Sequence, residues 1–273
     1  MNSKALANLN PSGEQKKMPV LFLGHGNPMN AIMENKFVQG WRQVAGEIHE
    51  PSAILCISAH WETRGTKLTT MEQPKTIHDF GGFPKALFEV QYPAPGSPEL
   101  AKYTQQQIQS TLIELDHDWG LDHGAWSVIK HMYHKANIPI VEMSLDYTKP
   151  PKYHYELARE LSFLRKKGVL IIGSGNVVHN LRMAAWDRLD EEFSYDWAEE
   201  SNDLIEKSVM HGDHSKLWNY AAQGRSLDLA VPTPEHFLPL LYVMGLQSKN
   251  EDVQLFNKAT LAGSLSMTSL KVG

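Results

Sequence analysis

Three histidines of this 273-residue chain sit in one kind of local setting, and that setting suits metal chemistry. His25 closes the run Leu21-Phe22-Leu23-Gly24, and His60 closes the run Ala53 to Ala59. His179 follows Gly168 to Val178 across the small-residue turn Gly173-Ser174-Gly175. Short, continuous apolar runs bounded by glycine or proline read as buried strands of a parallel sheet. In such sheets ligands bind beyond the carboxyl ends of the strands. A fourth histidine, His236, stands behind Pro232 and Pro234, in what reads as the first turn of an apolar helix from Phe237 to Met244. Neutral imidazole is a good donor to Zn(II), Fe(II) and similar ions. The bland alternative has His179 hydrogen-bonding within a helix and His236 serving as a helix-terminal residue. Spacing alone leaves both readings open.

The elements that would have to position these side chains alternate between strand and helix. After the first strand, Phe37, Trp41, Val44, Ala45 and Ile48 recur at helical spacing, which gives an amphipathic crossover helix. The second strand ends at His60, Thr66 to Met71 forms a third, and Ile138 to Leu145 forms a fourth containing Glu142. Ser97-Pro98-Glu99 is a cap, a first-turn proline and an acidic residue, so a helix starts there. Another follows Asp122-His123-Gly124-Ala125-Trp126 and carries Val128, Ile129 and Met132. The turn after Gly173 leads into a helix carrying His179. Asp196 to Met210 and Ser215 to Ala222 read as outer helices, and strands near Val253 to Phe256 and Ser264 to Val272 close the chain. The pattern predicts a single α/β domain with a mostly parallel central sheet flanked by helices.

Composition narrows the function classes. The hydrophobic content of 42% and charged content of 21% are those of a globular protein. A net charge of −5 gives no electrostatic footprint for nucleic acid. Cys56 is the one cysteine, which excludes intrachain disulfides and a thiolate metal cluster. No apolar stretch approaches bilayer length and no signal-peptide pattern opens the chain, so a cytoplasmic protein without membrane contacts is expected. Residues 1–17 are polar and aperiodic and read as a flexible extension. Among familiar motifs, Gly173-Ser174-Gly175 lacks the spacing of a nucleophile elbow. Val178 stands where a dinucleotide fingerprint needs its third glycine. The segment from about Gln73 to Gly96 is a long loop in which Phe80 and Phe83 flank Gly81-Gly82. It is either a lid over an apolar or aromatic ligand or a loop pinned to the surface by its rings.

Several stretches together resemble a known family. They are His25-Gly26-Asn27-Pro28-Met29, Ser58-Ala59-His60-Trp61, His78-Asp79-Phe80-Gly81-Gly82-Phe83-Pro84, Asp122-His123-Gly124, Ser174-Gly175-Asn176-Val177-Val178-His179-Asn180 and Pro232-Thr233-Pro234-Glu235-His236. They resemble the 4,5-DOPA extradiol dioxygenases, members of the class III, LigB-type extradiol ring-cleavage dioxygenases, and the bacterial zinc-containing members in particular. The resemblance runs from about Pro19 to the carboxyl terminus. It implies a LigB-type catalytic domain over 18–273, holding one mononuclear divalent metal with an open face. Its metal ligands would be His25, His60 and His236, with His179 as a further ligand or as acid/base and His123 near the substrate. His78, Phe80, Phe83 and Trp126 are candidate walls of a substrate pocket.

The partners implied are a small catechol such as 3,4-dihydroxyphenylalanine and O2, and the chain is expected to be a monomer or weak homo-oligomer. Fe(II) is expected for activity and Zn(II) in purified protein. Zinc has no redox chemistry, so a zinc form would not activate O2. The all-histidine set departs from the usual two-histidine, one-carboxylate triad. Glu235 is adjacent to His236, but neighbouring helical side chains point about 100° apart, so both are not expected on one ion. Two alternatives on the same fold are a zinc-dependent hydrolase with His179 or Glu62 as base, and a non-catalytic zinc-binding protein with a closed coordination sphere.

Overall fold

The structure, a computed structural model, describes residues 17–273. The extension expected over 1–17 therefore lies, Lys17 apart, outside the described residues. Among the described residues ten strands form in chain order: β1 Val20–Gly24, β2 Ala53–Thr63, β3 Thr66–Thr69, β4 Ile113–Asp116, β5 Ile140–Asp146, β6 Val169–Gly175, β7 Val253–Phe256, β8 Thr260–Leu261, β9 Leu265–Ser266 and β10 Ser269–Val272. The main sheet has the order β4-β3-β5-β2-β6-β1-β10-β7, and β8 with β9 makes a small separate ladder. Its centre is parallel, β6 pairing with both β1 and β2, and β2 with β5. The antiparallel pairs are β1 with β10, β10 with β7, and β3 with β5.

The apolar runs are continuous because both faces of the sheet are covered. Val20 and Phe22 of β1, Leu55 and Ile57 of β2, and Val169 and Ile171 of β6 pack into one core. Helices Pro151–Glu160, Asp196–His211 and Leu238–Gly245 contribute Leu157, Ile205 and Leu241 to that core. The alternate residues Leu21, Leu23, Ile54, Cys56, Leu170 and Ile172 pack into a second core under helices Lys36–Gly46 and His123–Met132. Strand periodicity of two divides one run between two cores.

Several local expectations are corrected. Strand β2 does not stop at His60 but runs to Thr63, with a register shift against β5 between Ile57 and Glu62 that spans the histidine. Strand β4, Ile-Glu-Leu-Asp, was unforeseen, because a short polar edge strand lacks an apolar run. His179 is not helical. Its N–H is held by the Ala230 carbonyl at 2.9 Å, and the residue forms an isolated bridge with Leu265. His236 precedes its helix, which starts at Leu238 after a turn closed by Phe237 and Leu238 N–H groups on the Pro234 carbonyl, both at 2.9 Å. The expected strand from Ser264 to Val272 is broken into β9 and β10. Among the described residues no helix is long and apolar enough to cross a membrane.

Candidate metal centre and its cavity

Strands β1, β2 and β6 are neighbours, so their carboxyl ends bring three sequence-distant segments together. Gly24 pairs with Gly175 and Ser58 with Ser174. His25 continues the β1–β6 ladder, donating its N–H to the Gly175 carbonyl at 3.1 Å. Gly175 lies so close to the His236 carbonyl that a Cβ there would overlap it. The next N–H, of Asn176, donates to the same carbonyl at 2.9 Å. The absence of a side chain at Gly175 thus lets the 232–237 loop lie on the end of β6 and delivers His236. On the other side, Asp122 caps the helix His123–Met132 by accepting from Ala125 N–H at 3.1 Å. Asp122 also accepts from Ser58 Oγ at 2.7 Å, which ties the first residue of that helix to β2.

The result is a cluster of five imidazoles. The ring centroids of His25, His60 and His236 are 5.1, 5.3 and 5.0 Å apart. Three imidazoles bound through Nε2 to one ion at about 2.1 Å have centroids roughly 5 Å apart, so this triangle has the dimensions of a facial metal site. His123 lies against His60, centroids 3.8 Å apart, and His179 stacks on His236 at 3.5 Å with planes 7° apart. Ring nitrogens of His25, His60 and His123 fall within 4.8 Å of one another, as do donor atoms of His179, Glu235 and His236.

The hydrogen bonds around the cluster fix which nitrogen carries the proton. Ser174 Oγ donates to the Gly124 carbonyl at 2.5 Å, so it must accept from His25 Nδ1, 3.0 Å away. His236 Nδ1 is 3.1 Å from Glu235 Oε1, and His60 Nδ1 is 3.3 Å from Asp79 Oδ2. His25 and His236 therefore carry the proton on Nδ1 and keep the Nε2 lone pair, and the carboxylate beside His60 Nδ1 favours the same tautomer there. A carboxylate or carbonyl on the remote nitrogen is the usual support of a metal-bound histidine. His25 Nε2 and His60 Nε2 face each other at 3.2 Å, a spacing that two donors to one ion can share. The residues therefore fit a divalent metal held by His25, His60 and His236.

Electrostatics keep His25, His60, His179 and His236 neutral. Burial, reinforced by the other four imidazoles, pushes His25 well below the ordinary histidine range. Burial and the neighbouring rings do the same to His236. Burial and His123 lower His60 to about 3, and burial lowers His179 to about 4. The site offers lone pairs rather than protons at neutral pH, as metal ligation requires. Burial alone would raise Asp79, but the facing His123, whose backbone N–H also donates to it, together with His60, reverses this and holds the carboxyl below its usual range.

Beside the cluster opens a cavity of about 500 Å³. His123 and His179 line it with His25, His60 and His236, and Phe80 and Phe83 form one apolar wall. Two of the expected wall residues do not reach it. Trp126 is fully buried, its Nε1–H donating to the Ile77 carbonyl at 2.8 Å. His78 donates from Nε2 to the Val90 carbonyl at 2.9 Å and packs between Phe80 and Trp126. Both support Phe80 from behind. Leu181, Trp186, Leu189 and Leu265 also line it and were not foreseen, because the first three come from a stretch with no strand or long-helix periodicity and Leu265 from the two-residue strand β9. Glu62 is exposed and does not line the cavity. Glu235 contacts the outer nitrogen of His236 rather than competing for an ion, and the segment holding the two is not helical. Asp79 and Ser174 were missed as site residues, although both lie inside the motifs that carried the family resemblance.

The family model described as the catalytic LigB subunit of aromatic ring-opening dioxygenase matches residues 18–265. The chain is 43% identical over 261 residues to a protein of Escherichia coli strain K12 named 4,5-DOPA dioxygenase extradiol, a match covering 94% of this chain and 95% of that protein. It is 36% identical over 259 residues to a Beta vulgaris protein of the same name, covering 92% and 94%. A crystal structure of an uncharacterized E. coli K12 protein superposes with a TM-score of 0.81 at 39% identity, covering 94% of this chain and all of that one.

Proposed function

Because this chain belongs to the LigB family of aromatic ring-opening dioxygenases, we propose that it opens a catechol such as 3,4-dihydroxyphenylalanine by extradiol cleavage with O2. The observation that carries the reading is the convergence of His25, His60 and His236, each with Nδ1 facing an oxygen, beside an aromatic-walled cavity lined by two further imidazoles. The zinc-hydrolase reading is not favoured: Glu62 is exposed and the curated relatives are named as dioxygenases. The closed, non-catalytic zinc site is not favoured either, since the cluster opens on a cavity.

In this reading His25, His60 and His236 hold the metal. A bound divalent metal supplies Lewis acidity toward both catechol oxygens and, as Fe(II), the redox chemistry that O2 requires. His179 is better placed as acid/base than as a fourth ligand. Its ring stacks on that of His236, centroids 3.5 Å apart, and lines the cavity where the substrate would sit. Burial keeps it neutral at pH 7, ready to accept a proton. His123, its Nδ1 facing Asp79 at 2.9 Å, presents Nε2 as the second proton acceptor. Phe80 and Phe83 stack against the ring and keep water out. Both atoms of O2 end in the product, and the bond that breaks lies beside the diol rather than between its carbons. The native metal is proposed as Fe(II), with Zn(II) in protein purified without iron.

The test is anaerobic loading with Fe(II), then oxygen-electrode measurement with 3,4-dihydroxyphenylalanine. One O2 consumed per yellow semialdehyde formed is expected. Absence of uptake with every catechol tried, in protein shown to contain iron, would overturn the reading.

A further inference from the structure

One carboxylate on the aromatic loop touches two of the five imidazoles. Asp79 Oδ1 accepts the backbone N–H of His123 at 2.9 Å, which anchors its orientation. Its Oδ2 lies 2.9 Å from His123 Nδ1 and 3.3 Å from His60 Nδ1. Both are close nitrogen–oxygen approaches rather than aligned hydrogen bonds, the one oxygen facing two rings. Asp79 is followed at once by Phe80, a wall of the cavity whose ring lies 5.5 Å from that of His123.

We infer that Asp79 is a positioning residue which sets the tautomers of His60 and His123 together, so that one Nε2 faces the metal position and the other faces the substrate. The inference rests on the roles proposed above for those two histidines. Its physical basis is that a carboxylate is acceptor-only. With Oδ2 facing both Nδ1 atoms, a proton on each Nδ1 is favoured over a lone pair there. Oδ1 is spent on the backbone and keeps the group from rotating. The loop that walls the cavity therefore also holds the chemistry of its floor.

The substitution Asp79→Asn separates this from a packing role. An amide that keeps its oxygen on His123 N–H places its NH2 where Oδ2 was, and a donor there forces both rings to the Nε2–H tautomer. That removes one metal lone pair and one proton acceptor without changing volume. The experiment reads ring tautomers by long-range ¹⁵N–¹H NMR on metal-free protein, and affinity for Co(II) by competition with a chelator. Wild type is expected to show Nδ1–H for His60 and His123. Asp79→Asn is expected to show Nε2–H and Co(II) affinity lower by about 10- to 100-fold. Asp79→Glu is expected to return most of the Nδ1–H signal, and Phe80→Ala to leave tautomers and affinity within about twofold of wild type.

In iron-loaded protein Asp79→Asn should lower kcat at least tenfold with little change in KM, whereas Phe80→Ala should act on KM. Should Asp79→Asn fold poorly, Asp79→Ala replaces it, and a retained Nδ1–H bias in that variant overturns the inference. So does Nδ1–H in Asp79→Asn with affinity within twofold of wild type, or a Phe80→Ala variant indistinguishable from Asp79→Asn. Neither readout needs turnover. A shift in tautomer and affinity in a protein that consumes no O2 would refute the dioxygenase reading and leave this one standing.

Discussion

Removing the hydroxyl of Ser174 gives a sharp test of how the centre is held. That oxygen is fully buried, donates to the Gly124 carbonyl and accepts from His25 Nδ1. In Ser174→Ala the His25 Nδ1–H has no partner while Nε2 holds a metal. A buried unpaired donor costs about 1–3 kcal/mol. The metal-free protein can escape this cost, because His25 can move its proton to Nε2 and point it at the neighbouring imidazoles. The metal-bound protein cannot. The penalty therefore appears as lost metal affinity, about 5- to 100-fold at 1.4 kcal/mol per factor of ten, with metal-free stability lowered by only about 1 kcal/mol. Anaerobic chelator competition with Fe(II) or Co(II) measures the first, and urea unfolding without metal the second. Ser58→Ala is the control. Its hydroxyl touches Asp122 and the His60 backbone but not a ring nitrogen, so its affinity should stay within about threefold. Wild-type affinity in Ser174→Ala, or an equal loss in Ser58→Ala, would refute the tautomer argument.

Four further outcomes are expected. Gly175→Ala puts a Cβ against the His236 carbonyl, with Pro239 close behind. It should cost about 2 kcal/mol or more of stability and most of the metal binding, read by melting with and without metal. His78→Ala should lower stability by about 1–2 kcal/mol through the lost bond to Val90 and raise KM only modestly, because the ring braces Phe80 from outside the cavity. His123→Gln should lower kcat by about 10²- to 10⁴-fold while metal content by emission spectrometry stays that of wild type.

Acid should destabilise the fold through His154, a fully buried imidazole against the Tyr242 hydroxyl, which burial lowers to about 4. The unfolded chain binds that proton near pH 6.5, so stability falls as pH drops from there to about 4, by on the order of 3 kcal/mol. Unfolding titrations of wild type against His154→Phe should show a flatter acid limb in the variant, and parallel limbs would refute the assignment.

The sequence alone determined the parts that follow from local chemistry. Continuous apolar runs such as Leu21 to Leu23 and Val169 to Ile172 can be buried on both faces only inside a covered parallel sheet, so the fold class was legible. Glycine-flanked histidines after such runs marked His25, His60 and His179 as candidates, and the motif set tied them to one family. What tertiary structure decided was everything that depends on distance between segments far apart in sequence. The turn before His179 resembles others that start a helix, yet its N–H bond to the Ala230 carbonyl and the bonds of its neighbours Val178 and Asn180 with Ser266 and Ser264 hold it extended. Trp126 and His78 looked like pocket walls because they are aromatic beside site motifs, whereas packing puts Phe80 in front of both. The cavity-lining residues Leu181, Trp186 and Leu189 have no period to read. The partners of each Nδ1, Ser174, Asp79 and Glu235, lie 149, 19 and one residue from their histidines. Spacing carries no sign of which of them will meet a ring nitrogen, because the sheet order and the close backbone contact at Gly175 fix those meetings.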